Sequence, residues 1–222
     1  MRFRAGMVGV LVLLAFCGPG GPGRLAAEEK EQARIFVVDA AASEITVLLF
    51  KQGLFSGFAH DHVLVAESLS GQVALHGNGI AGSTLRLTVP VTSFLVDLPE
   101  HRARENLTDE MDAQDREEVR KTMMGPEQLD VAWHPTISAT LERIEGQWPS
   151  LTVYARLRIR GGEKLVPVPA RVELVGGTLT AEGEFELLQS DFGIEPFSAF
   201  MGTVSVKDRI RVRYRIVAVE RP

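Results

Sequence analysis

Apolar and polar residues take turns at every second position along most of this chain, and that alternation limits the fold more than any other feature. Leu85, Leu87 and Val89 alternate with Arg86 and Thr88; Val153, Ala155, Leu157 and Ile159 alternate with Tyr154, Arg156, Arg158 and Arg160. Apolar or small residues at 179, 181, 183, 185 and 187 alternate with Thr180, Glu182, Glu184 and Glu186, and Ile210, Val212, Tyr214, Ile216 and Ala218 alternate with Arg209, Arg211, Arg213 and Arg215. A period of two gives each strand one dry and one wet face, the antiparallel pattern. Gly77-Asn78-Gly79, Gly161-Gly162 and Gly176-Gly177 fall between the runs, where hairpin turns need them. The expected fold is all-β: an antiparallel barrel or sandwich of about eight strands, with closure favoured because it removes unpaired edges.

One segment departs from the pattern. Leu107, Met111, Val119 and Met123 repeat at helical spacing, acids crowd the start, bases stand near the end, and Gly125-Pro126 follows. A helix-bearing insertion near 106–124 is expected. Residues 97–130 hold 11 acids and 5 bases. A solvated helix over one end of the barrel accounts for them more simply than the alternative, an interaction module that docks a partner through the acidic segment 104–130.

The first residues have the shape of a secretory signal. Arg2 and Arg4 precede the apolar run Met7–Phe16, and Leu25-Ala26-Ala27 offers small residues before Glu28-Glu29. Removal of residues 1–27 would leave one domain, 28–222, with 21 basic and 29 acidic residues and no cysteine. Such a product suits a Gram-negative periplasm. Leu14-Ala15-Phe16-Cys17-Gly18 loosely matches a lipoprotein box, but Phe16 stands where a small residue is usual, so cleavage near Ala27 is preferred to acylation at Cys17. The net charge of −5 argues against a nucleic-acid binder that relies on a positive field. No apolar stretch reaches the ~20 residues of a spanning helix.

Two stretches carry a resemblance. Leu157-Arg158-Ile159-Arg160-Gly161-Gly162-Glu163-Lys164 is similar to the strand–turn–strand of the YceI-like family, and Ser190-Asp191-Phe192-Gly193-Ile194 resembles its Ser-Asp-Phe-Gly-Ile stretch. Val38-Asp39 and Asp130–Pro135 are weaker echoes in the family's order, and a valine-rich strand closes the chain. The resemblance implies an exported, lipocalin-like barrel of eight strands whose apolar pore binds polyisoprenoid or similar amphiphilic lipids. His101-Arg102-Ala103-Arg104 with the acidic helix, and Phe58-Ala59-His60-Asp61-His62, depart from the family's usual pattern.

Aromatic side chains are the natural lining of such a pore, because each buried methylene of a lipid contributes ~0.8 kcal/mol without any charged partner. Phe58, Phe94, Trp133, Phe185, Phe192, Phe197 and Phe200 are the candidate ligand-binding residues. Ser190, Asp191 and Gly193 read as turn-makers. His60 and His62 would share one face of a strand and could hold a metal if His76, His101, His134 or a carboxylate converged on them; this is the alternative site. No nucleophile elbow, zinc-protease motif or phosphate loop is present, so the expectation is a binding protein, not an enzyme, with no cofactor beyond a bound isoprenoid lipid. The opposed Glu182–Glu186 and Arg209–Arg215 stripes should pair across neighbouring strands. In a Gram-negative host, the periplasmic protein is expected to begin at Glu28; an intact-mass measurement of the exported chain checks this.

Overall fold

The computed structural model describes residues 33–53, 60–76 and 82–221. The expected leader 1–27, Cys17, Phe58 and the Gly77-Asn78-Gly79 turn lie outside the described residues.

Eight antiparallel strands follow one another around a closed ring. Three of them are broken. β1 comprises Arg34–Val38 and Glu44–Leu49; β2 comprises His62–Ala66 and Ser70–Leu75; β3 comprises Thr84–Pro90 and Phe94–Val96. The others are continuous: β4 Thr136–Gln147, β5 Ser150–Ile159, β6 Gly162–Val175, β7 Thr178–Leu188 and β8 Arg209–Glu220. β8 pairs with β7 along its length and with both halves of β1, which closes the ring. The closed all-β barrel expected from the alternation is the fold observed. In β4 a bulge at Glu142 shifts the register between Leu141 and Arg143, and both Leu141 and Ile144 line the interior. Gly176 and Gly177 take positive φ of 57° and 77° in the β6–β7 turn.

The charged stripes pair as their sequence suggests. The β7–β8 register sets Glu182 opposite Arg215, Glu184 opposite Arg213 and Glu186 opposite Arg211. The ion pairs run diagonally, Arg209 to Glu186 at 3.0 Å and Arg211 to Glu184 at 3.4 Å. These pairs are solvent-exposed and worth little singly.

The connection from β3 to β4 carries two helices rather than the single one expected over 106–124. α1 spans Pro99–Arg104, with proline in its first turn; α2 spans Ala113–Met124, capped by Asp112, whose carboxylate accepts from the Asp115 N–H. Asn106, at φ 58°, stands between them. Leu107 therefore leaves the helical stripe and packs with Leu48, Val63 and Val65. That cluster occupies the outer face of β1 and β2, since their alternate residues Val47, His62 and Leu64 line the interior. Among the described residues, no helix is long and apolar enough to cross a membrane.

In its upper half, the end that carries the helices, the ring is completed by elements that are not strands. The β6–β7 ladder stops at Arg171–Glu182, although β6 stays paired to β5 as far as Gly162 and β7 to β8 as far as Leu188. Pro167 and Pro169 lie on the stretch of β6 that β7 leaves unpaired, where a missing N–H is tolerated. The gap is filled by Phe192 and Ile194, 2% and 5% exposed, packed with Val166, Val168 and Leu187. Their segment is held by Ser190, whose N–H and hydroxyl both bond Asp208, by an Asp191–Lys164 pair at 2.7 Å, and by the left-handed Gly193. Gly162 has no side chain because a Cβ would stand 2.7 Å from the Cα of Phe192. Lower down, the Tyr214 hydroxyl donates to the Pro169 carbonyl at 2.7 Å, in space that a side chain on Gly183 would invade; burial pushes the tyrosine's pKa up. On the other side, the upper half of β3 pairs with β2 and not with β4. Val119 and Met123 of α2 pack there against the cluster of Leu64, Val89, Phe94 and Val96.

Phe192→Ala is expected to cost about 3 kcal/mol, the ordinary result of emptying a buried phenylalanine site. Thermal unfolding should then show a Tm lower by roughly 6–12 °C.

Candidate ligand cavity

Closure of eight strands leaves an interior just wide enough to be filled by side chains or to hold one ligand. Here it is hollow. A cavity of about 670 Å³ runs from residues of α2 and the 204–206 strand at the upper end to Leu75, Thr84 and Trp148 at the lower. Its wall is the dry face read from the sequence. Leu85, Leu87 and Val89, the Val153–Ile159 set, and the inward residues of β7 and β8 all line it, Gly183 excepted. Small side chains hold the space open: Ala139, Ala155, Ala170, Ala181 and Ala218 all face it.

The predicted aromatic residues do not act as one set. Phe94, Phe185 and Phe197 line the cavity, and Phe185 meets Tyr214 edge-on, with ring centroids 6.2 Å apart. Phe192 is in the barrel wall and not among the lining residues. Trp133 is 81% exposed and also outside the lining, because the Asp130–His134 turn before β4 turns it outward. Phe200 starts a short turn of 3-10 helix, Phe200–Gly202. Position in sequence could not separate wall from lumen for these rings: only Phe94 and Phe185 belong to barrel strands, where parity decides the face.

The histidine motif is built into the hairpin between β1 and β2. The Asp61 carboxylate accepts from the Lys51 N–H at 2.7 Å and so ties the two sides of the hairpin together. His62 lines the cavity, and its Nδ1 lies 2.7 Å from Oδ2 of Asp97. Asp97 is fully buried at φ 50°. Its other oxygen accepts from the Val63 N–H and from Arg102, both at 2.9 Å. Arg102 also donates to the carbonyls of Asp61 and Asp109. Burial pushes the Asp97 carboxyl up, but its bonds to His62, Val63 and Arg102 outweigh that, and its pKa is lowered. His60 also lines the cavity, with Nδ1 3.9 Å from Asp109, whose Oδ2 accepts from the Lys51 ammonium at 3.1 Å. The two histidines thus lie near different carboxylates, and only His62 is hydrogen-bonded to its own. Among the described residues no group of three or more histidine, cysteine or acidic side chains is placed to hold a metal. Sequence reasoning missed Asp97; an acid directly after the apolar end of β3 was the available sign.

The acidic connection is part of this construction. Its first part lies along the outside of the barrel, through the Arg104–Glu44 pair at 3.0 Å and the Arg213–Glu105 pair. Met111, Val119, Thr122 and Met123 then roof the cavity. Gln128 donates to the Glu195 carbonyl at 3.1 Å, and Arg160 bonds the carbonyls of Pro126 and Gly193, so the roof is tied to the segment before β8.

The model of the YceI-like domain matches residues 36–218, which is the whole ring apart from its outermost residues. The chain belongs to the YceI-like family. Solved structures agree in fold. BcnA of Burkholderia cenocepacia superposes with a TM-score of 0.61 at 19% identity, covering 82% of this chain and 99% of that one. A polyisoprenoid binding domain from Saccharophagus degradans gives 0.58 at 13% identity, covering 84% and 98%. A Campylobacter jejuni YCEI protein gives 0.51 at 14% identity, covering 72% and 85%. No curated protein matches the chain.

Asp97→Asn should be strongly destabilising near neutral pH, by about 3–5 kcal/mol, because it leaves Arg102 buried without its counter-charge. Since the folded-state pKa of Asp97 lies below its ordinary value, its contribution is complete above about pH 4 and lost as the pH falls through the folded value. Denaturant unfolding at a series of pH values should therefore show the wild type and the variant converging in acid.

Proposed function

We propose that this protein binds an isoprenoid or similar amphiphilic lipid inside the barrel, as a carrier or store that performs no chemistry on it. The observation that carries this reading is the continuous apolar cavity of about 670 Å³, within the ~300–1,000 Å³ usual for small-molecule sites. Membership of the YceI-like family supports it, as does the name of the Saccharophagus degradans structure, a polyisoprenoid binding domain. The wall along the barrel is largely aliphatic and aromatic, whereas a sugar or a peptide needs many convergent hydrogen bonds. A greasy chain needs only the space and the walls.

The protein is proposed to work in the periplasm after removal of residues 1–27. The basic and apolar head of the sequence supports this, as does the absence of cysteine from the chain that would remain. A lipid insoluble in water requires shelter in such a compartment, and a barrel with a charged exterior supplies it.

Native mass spectrometry and solvent extraction of protein purified from the cell envelope should find bound lipid. Filling the lumen with Ala139→Trp and Ala155→Trp should leave the β-sheet circular dichroism in place and weaken prenyl-lipid binding at least about tenfold, the loss of ~1.4 kcal/mol or more of buried contact. Protein that emerges empty, and that never takes up added prenyl lipid, overturns the reading.

A further inference from the structure

The mouth at the upper end has two unlike sides. One is the roof, whose stretch 109–118 holds six acids and one base. The other is a short hairpin, in which Ser198–Ala199 pairs with Val204–Val206, and Val204–Val206 pairs in turn with Lys51–Gln52. The Val206 N–H donates to the Phe197 carbonyl at 2.9 Å, and a Cβ on Gly53 would stand 2.4 Å from the Thr203 carbonyl oxygen, so the hairpin is held close against its neighbour.

Folding does not account for what this hairpin carries. Met201, near its apex, is fully exposed at φ 53°. That left-handed backbone suits glycine or asparagine, and an apolar side chain left in solvent contributes nothing to a core. Phe197, at the hairpin's base, is 43% exposed and also lines the cavity. The apolar wall of the lumen thus continues onto the rim, on the element that carries Met201.

Charge tells which partner fits. Lys207 directly follows the hairpin and is exposed; its ammonium lies 5.8 Å from the centroid of the Phe50 ring, and among the described residues it has no carboxylate partner. Arg211 lies over the same ring at 5.4 Å and is shared with Glu184. An apolar apex with a cation at its foot is complementary to an anionic bilayer surface, where apolar atoms enter the interface and an ammonium reaches the headgroups. A stable protein–protein interface needs about 800 Å² from each partner, more than Phe197, Met201 and Lys207 supply. A bilayer needs no such area for brief, reversible contact.

We propose that the hairpin 197–207 docks on the anionic phospholipid surface of a membrane, with Met201 in the interface and the acidic roof turned away from it. The occupant of the lumen takes no part in this contact, so the inference goes beyond the carrier reading. Where that reading holds, docking sets the rim at Phe197 against the bilayer, and cargo passes between the two without crossing water.

The chain from Glu28 onward tests it; it holds every strand of the ring and lacks the apolar run Met7–Phe16, which would itself enter vesicles. Flotation with phosphatidylcholine–phosphatidylglycerol vesicles should recover the protein, and raised salt should release part of it. Met201→Asp should weaken binding about tenfold, and Met201→Leu should restore it. Lys207→Glu should weaken binding to the mixed vesicles at least about fivefold and leave binding to phosphatidylcholine alone unaltered. Both positions are exposed, so these variants should keep the wild-type Tm. The tested chain has no cysteine, so single dye-labelled positions can be compared. A polarity-sensitive dye on Met201→Cys should shift to the blue when the mixed vesicles are added, and the same dye on Gln114→Cys, in α2, should not. Failure of the wild type to bind the mixed vesicles, equal binding by Met201→Asp, or a dye response from Gln114→Cys alone overturns the proposal. So does a dimer in sedimentation that Met201→Asp disperses, which assigns the hairpin to a second copy of the chain. None of these outcomes bears on lipid in the lumen, and a barrel that emerges empty leaves the docking result standing.

Discussion

The number of strands sets the interior, and the size of the inward side chains decides what becomes of it. A ring of eight encloses little more than its own side chains need. With phenylalanine or leucine at every inward position, the lumen would be a packed core. Here alanines at 139, 155, 170, 181 and 218, one on each of β4 to β8, face it, and a cavity remains. The hollow is thus written residue by residue into the dry faces of the strands. Its cost is van der Waals contact that a filled barrel would have made.

A hollow barrel has less core to hold its wall shut, so the wall needs help where the ladders end. Two such places occur in the upper half, and each is closed differently. Between β6 and β7, prolines mark an unpaired stretch and Phe192 and Ile194 fill the gap. Beside β3, the second helix lays Val119 and Met123 over the opening. The Asp97–Arg102–His62 group does a third job, fastening the hairpin of β1 and β2 to the start of the connection.

Much of this was legible in the sequence, for a physical reason. Parity along a strand is a local property, so the inward sets of β3, β5, β7 and β8 could be read one residue at a time. The opposition of the acidic and basic stripes followed from adjacency in the chain. What could not be read depends on three dimensions. Phe192 and Trp133 look like pore aromatics by composition, yet one belongs to the wall and the other to solvent, because turn geometry places them. Leu107 continues a helical stripe on paper and leaves it in space, because Asn106 adopts a left-handed conformation. The Val166-Pro167-Val168-Pro169 run did carry a sign of the incomplete ladder, since alternate prolines fit only an edge. The histidine motif suggested a metal; its two rings instead lie against different carboxylates, one of them supplied by Asp97, 35 residues away along the chain.

The interruptions of β1, β2 and β3 stand side by side: residues 39–43 face the gap after Ala66, which in turn faces residues 91–93. Together they form a crease across three neighbouring strands. Above it, Glu44–Leu49, His62–Ala66 and Phe94–Val96 pair with one another, and among the described residues their ladder to the remaining barrel strands is along β8. The crease thus divides three strands into an upper and a lower set of rungs, and β8 is the strand that runs unbroken past both.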